Sequence, residues 1–166
     1  SYVSIAKRWH RGGAISFSAW YRPSNVTGWR QLFNLTGCNN AVATPCIYTT
    51  TGKAGVAQNP SLTSTPFNGD NISVSSSVAA SQINAVVHLA LVMNGQVTTI
   101  YINGASVASS SAAVGSVPPS SPTLPMLVGA GYYASNTSPA DFFAGWISNL
   151  AAWDRPLSSD EVLRQY

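Results

Sequence analysis

The stretch LALVMNGQVTTIYINGASVASS, Leu89 to Ser110, sets two Asn-Gly pairs between runs of β-branched and apolar residues. Asn and Gly both tolerate positive φ, so Asn94-Gly95 and Asn103-Gly104 each predict a two-residue turn whose twist suits a right-handed hairpin. A three-stranded meander follows. In its middle strand Val97, Thr99 and Tyr101 share one face and Thr98, Ile100 and Ile102 the other, because side chains alternate along a strand. Neither face carries a charge. The strand before it, VVHLALVM, is apolar on both faces apart from His88, a pattern that predicts cover from both sides.

Composition extends this reading to the whole chain. The 166 residues are 45% hydrophobic, enough for one domain with a sizeable core. Only 8% are charged, against about 25% in an average globular protein. Ser, Thr, Asn and Gly must supply the polar surface, which suits strands and turns better than solvated helices. SYVSI, AISFSAWY, QLFNL, CIYTTT, AGVAQ, NISVSS, PMLVGAG and FAGWISNLAAW add further strand candidates, bounded mostly by Gly, Pro, Asn or Ser. That number suits an all-β, two-sheet antiparallel sandwich. In AISFSAWY the alternation sends Ile15, Phe17 and Ala19 to the core and Ser16, Ser18 and Trp20 to the other face. Residues 57–71, SSSAAVGSVPPSSPTLP and GYYASNTSPADFF read as long, charge-poor loops. One helix is predicted, at the end, with Ser158 as N-cap and Glu161 three residues on in capping-box position.

Cys38 and Cys46 bracket the polar loop NNAVATP and are candidates for a disulfide, favouring an oxidising compartment. Sequons at Asn25, Asn34, Asn71 and Asn136 mark candidate glycosylation sites, although the Asn, Ser and Thr content nearly accounts for their number. No apolar run is long enough to span a membrane, and the first residues already read as a strand. The expectation is a domain excised from a longer secreted or cell-surface chain, without membrane insertion.

The final third carries a more specific pattern. A His-x-Ala-Leu-Val strand precedes a Tyr-x-Asn-Gly hairpin, LPMLVGAG follows, and a closing motif runs through Phe143, Gly145, Ile147, Leu150, Trp153, Leu157, Ser158, Glu161 and Val162. This resembles the laminin G-like, concanavalin A-like domain family, in its pentraxin-related subgroup, and AISFSAWYRPSN looks like that family's early strand. The resemblance covers nearly the whole chain. It implies a jelly-roll sandwich over residues 1–166 closed by a short C-terminal helix. Each matched residue also has a packing reason: Gly145 for a close backbone approach or bulge, Trp153 and Leu157 to seal the sandwich edge, Asp154-Arg155-Pro156 to turn into the helix.

Related sandwiches include glycoside hydrolases, which place two carboxylates across a groove. This chain has five acids. Asp154, Asp160 and Glu161 belong to the terminal turn and helix, leaving Asp70 and Asp141 in predicted loops. No Gly-x-Ser-x-Gly elbow, P-loop or zinc-ligand spacing occurs, so no enzyme is expected.

Three binding chemistries are open. The resemblance implies calcium as a candidate; the family's ligands do not match here residue by residue, but this chain offers oxygen groups at Asp70, Asn71 and Asp141, residues that equally suit ordinary solvated turns. Trp29 and Arg30, with Tyr132 and Tyr133, put aromatic and polar groups in apparent loops, where rings stack on a pyranose or merely cap the core. Lys7, Arg8 and Arg11 in KRWHR suit acidic polysaccharides, or simply solubilise a charge-poor surface; no nucleic-acid motif accompanies them. The expected function is a non-catalytic extracellular recognition module for a carbohydrate or glycoprotein. The alternative is a structural assembly or adhesion domain that packs against other domains of an extracellular filament or matrix.

Overall fold

The computed structural model describes residues 2–5, 14–24, 30–34, 46–50, 61–65, 72–74, 84–94, 97–109, 126–132 and 138–166. Among them the strands are β1 (Val3–Ile5), β2 (Ile15–Pro23), β3 (Arg30–Asn34), β4 (Cys46–Thr50), β5 (Ser61–Thr65), β6 (Ile72–Val74), β7 (Val87–Met93), β8 (Thr98–Ile102), β9 (Ala105–Ser109), β10 (Met126–Val128), β11 (Gly131–Tyr132), β12 (Pro139–Ala140) and β13 (Gly145–Trp153). One helix, α1 (Ser159–Gln165), follows them. One sheet has the order β1-β10-β3-β4-β5-β6, a second the order β13-β2-β7-β8-β9, and β11-β12 form a separate ribbon. Both large sheets are antiparallel throughout, as the predicted jelly roll requires.

The core lies between the sheets and follows the sequence alternation. Ile15, Phe17, Ala19 and Tyr21 of β2 and Leu89, Leu91 and Met93 of β7 meet Leu32 of β3 and Met126 and Val128 of β10. Burying each large aliphatic or aromatic side chain contributes about 1.5–3 kcal/mol. β7 is buried along its whole length because its other face is covered too. There Ala90 and Val92 pack with Leu157 and Val162, beside Tyr101 and Trp153. Trp153 and Leu157 therefore bind the helix to the outer face of the sheet rather than sealing the sandwich edge.

The helix starts as its sequence demands. Ser158 Oγ accepts from Glu161 N at 3.2 Å while Glu161 Oε2 accepts from Ser158 N at 2.8 Å, completing the capping box. Arg155 donates to both Glu161 oxygens, at 3.0 and 2.7 Å, and with the Ser158 N–H it holds the Glu161 carboxyl at about 2. Ser16 anchors the preceding turn: its fully buried hydroxyl donates to Arg155 O and accepts from Leu157 N, both at 2.9 Å.

The two Asn-Gly turns differ. Asn103 and Gly104 have φ of 50° and 77° between the paired residues Ile102 and Ala105, the two-residue geometry expected. At the first turn, Asn94 N donates to Val97 O at 3.1 Å and Val97 N to Asn94 Oδ1 at 2.7 Å. Asn94 thus flanks that loop instead of sitting at its centre; Gly95 and Gln96 lie outside the described residues.

Two predicted loops hold strands. Residues 57–71 contain β5, paired with β4 and β6, and GYYASNTSPADFF contains β11 and β12. SLTST has one apolar residue in five, so its pairing rests on the backbone, which hydrophobic periodicity does not report. AGVAQ and VPPSSP lie outside the described residues. At Gly145 the reading of close approach holds: φ is 149° and a Cβ would collide with Arg22 O. The bulge falls further along, between Ser148 and Ala151, where Asn149 has φ of 50°.

Candidate functional site

At the rim where β3 begins, three segments distant in sequence are laced together by backbone hydrogen bonds. β11 and β12 pair Gly131 with Ala140 and Tyr132 with Pro139. The chain leaving β12 then runs beside β3: Gln31 N donates to Asp141 O at 2.9 Å, and Gln31 forms a parallel bridge with Phe142. Phe143 N donates to Gly129 O at 2.9 Å, and Gly129 N to Leu32 O at 2.7 Å. Asp141 and Phe142 are thereby fixed against Arg30 and Gln31.

The side chains reinforce this placement. Gln31 is 2% exposed, and its Nε2 donates to Asp141 Oδ2 at 3.4 Å, a long and therefore weak bond. Its amide presses against Gly131, where a Cβ has no room. Arg30 Nη1 donates to Phe142 O at 3.2 Å. Asp141 sits at φ 52°, in the left-handed region that Asp tolerates better than most residues. Burial pushes its carboxyl above the ordinary range, while the Gln31 amide and the Arg30 charge pull it down. Phe142 is 43% exposed, its ring tilted against Tyr2 with centroids 6.0 Å apart. A partly desolvated carboxylate, an amide, a guanidinium and an exposed ring thus share one rim.

Three residues singled out by sequence meet here: Arg30 and Asp141 through side chains, Tyr132 through its backbone position. Gln31 and Phe142 were missed. The signal for Gln31 was only partial: an amide next to Leu32 and Phe33 in a predicted strand requires a partner once it is buried, but β3 also carries Arg30 and Asn34. Lys7, Arg8, Arg11, Trp29, Tyr133, Asp70, Asn71, Asn25, Asn136 and Cys38 lie outside the described residues. Asn34 and Cys46 face each other across β3 and β4, so the sequon beginning at Asn34 starts in a strand paired on both sides.

A calcium ion needs six or more oxygen ligands. Among the described residues no three acidic, His or Cys side chains cluster, and the rim offers the single carboxylate of Asp141 with the Arg30 cation beside it. β6, which begins directly after Asn71, lies three strand spacings from β3, about 14 Å. The described residues alone do not form a calcium cage. His88 is not at this rim: it is 1% exposed and lies against Trp20 and Tyr166, with ring centroids 5.3 and 6.1 Å away. No helix among the described residues is long and apolar enough to cross a membrane.

Solved structures share the architecture. A heptameric pentraxin from Limulus polyphemus superposes with a TM-score of 0.68 at 13% identity, covering 98% of this chain and 73% of that one. The fourth domain of AbnA, an extracellular arabinanase from Geobacillus stearothermophilus solved with arabinotriose, gives 0.66 at 18% identity, covering 97% and 70%. Domains LG4-5 of the mouse laminin alpha1 chain give 0.60 at 14% identity, covering 95% and 44%. No curated protein matches the chain at the sequence level. The laminin G family model described as the Concanavalin A-like lectin/glucanases superfamily matches residues 1–163, and the chain belongs to that family.

Proposed function

We propose that this domain is a non-catalytic carbohydrate-recognition module of an extracellular protein, and that its sugar sits at the rim of Arg30, Asp141 and Tyr132, with the buried Gln31 amide holding Asp141 from behind. The observation that carries this reading is the convergence itself, because polar groups chosen for two different chemistries are gathered beside an exposed ring. Such a set suits a sugar: planar polar groups bind hydroxyls and an aromatic face covers the ring. The arabinotriose held by the AbnA domain supports a saccharide as the ligand class. Hydrolysis would need a second carboxylate across the groove. Among the described residues the other acids are Asp154, directly after β13, and Asp160 and Glu161 in the first turn of α1.

The test is titration of the domain with neutral and acidic oligosaccharides, with calcium and again with a chelator. D141N and R30Q are expected to weaken binding by about tenfold without changing the unfolding curve. Binding that is unchanged in both variants would refute the rim as the site. Loss on chelation would show that binding depends on a calcium ion. The alternative, an assembly domain, draws on Tyr2, Val3 and Phe142, which are exposed beside the edge strand β1. It predicts concentration-dependent self-association and no glycan affinity.

A further inference from the structure

The outer face of the five-stranded sheet is covered over only part of its length. Toward Ser16 and Trp153 it lies under α1. At the other end Trp146 is 50% exposed and Val86 is exposed as well. Register places Trp146 directly opposite Arg22, and Ser148 opposite Trp20, so these four side chains share that face. Ile147 between them turns inward to the core. Position 146 in the closing motif therefore needs no aromatic for folding, yet holds the largest side chain available.

Arg22 is held by its Nε, which donates to Asn84 O at 3.0 Å, and among the described residues no acceptor engages its terminal nitrogens. Beside it Trp20 stacks on Tyr166 at 5.8 Å and 28°, and Tyr166 is itself exposed. The described carboxylates lie elsewhere: Asp141 contacts the opposite sheet through Gln31, and Asp154, Asp160 and Glu161 sit at the far end of β13 and the first turn of α1. This half of the face presents aromatic rings around one cation.

We infer that it binds an acidic polysaccharide built of uronate units, a second saccharide surface distinct from the rim. A pyranose stacks on the Trp146 indole and its carboxylate takes the free edge of the Arg22 guanidinium. Residues directly opposite on antiparallel strands have Cβ atoms about 5 Å apart, so one sugar reaches both. A uronate carboxylate projects sideways from the ring, as Arg22 lies sideways from Trp146, and its planar oxygens match the guanidinium fork better than a tetrahedral sulfate does. The Trp20–Tyr166 pair offers the next stacking surface along the chain. This inference rests on the domain being a carbohydrate binder.

The experiment is calorimetric titration with oligogalacturonate and with its methyl ester, which keeps the ring and loses the charge. W146A and R22Q should each weaken oligogalacturonate binding by about tenfold or more, W146F should restore it, and the methyl ester should bind the parent about tenfold more weakly. Both positions are exposed, so the variants should unfold like the parent. Equal binding of acid and ester, or parental affinity in W146A and R22Q, overturns the inference. If D141N and R30Q abolish saccharide binding while W146A and R22Q do not, the rim reading stands and this one falls; the reverse pattern leaves this one standing without the rim. No binding of either ligand overturns this inference and leaves the rim to the titration with other neutral and acidic oligosaccharides.

Discussion

Replacing Ser16 with alanine tests how the helix is attached to the sheet. The hydroxyl is fully buried and makes two 2.9 Å hydrogen bonds, to Arg155 O and from Leu157 N. Arg155 is an exposed residue whose carbonyl can turn to water, but Leu157 is 5% exposed and its N–H would lose its acceptor inside the fold. An orphaned buried donor costs about 1–3 kcal/mol. The small void left by one oxygen adds little, so about 2 kcal/mol in total is expected. In urea the midpoint should fall with the slope unchanged, and the melting temperature should drop by about 4–8 °C for a chain of this size. Amide exchange in α1 should accelerate more than in β7, because the lesion releases the turn that seats the helix. A loss below about 0.5 kcal/mol would refute the claim that this hydroxyl clamps the turn. A loss spread equally through β7 and α1 would show that helix and sheet unfold as one unit.

Three further outcomes follow from the geometry. Gly131→Ala should destabilise the domain by about 1–3 kcal/mol because the new methyl displaces the Gln31 amide; thermal unfolding of the double variant with Gln31→Ala should recover most of the loss. Glu161, held at about 2, contributes stability that is complete above its unfolded value of about 4.3 and disappears as pH falls through the folded value. Stability of Glu161→Gln measured from pH 5 to 2 should lack that decline. Burial lowers the His88 pKa, so protonation favours the unfolded chain: stability should fall as pH drops below about 6.5, and His88→Met should flatten the slope over that interval.

The legible parts of this protein are those written in neighbouring residues. Alternation in AISFSAWY predicted which side chains of β2 face the core, and the two-faced apolar run VVHLALVM predicted that β7 is covered on both sides, because both patterns are properties of adjacent positions. Ser158 and Glu161 predicted the helix start for the same reason, with both capping bonds spanning three residues. Asn103-Gly104 predicted a turn that needs positive φ at both residues. The polar strand β5 went unseen, because its partners, not its own hydrophobicity, make it a strand.

The candidate sites lie on the other side of that boundary. Gln31 and Asp141 are 110 residues apart, and only the pairing of β3 with the segment after β12 brings them together. The outer face behaves the same way: Trp146 and Arg22 become neighbours through the register of β13 with β2, shifted by a bulge no local pattern announces. By itself the sequence determined an all-β sandwich with a capped terminal helix, since periodicity, turn chemistry and capping act over a few bonds. Which polar groups share a rim, and which aromatic stands uncovered beside a cation, was decided by the tertiary structure, because those relations depend on how two sheets and a helix close over one another.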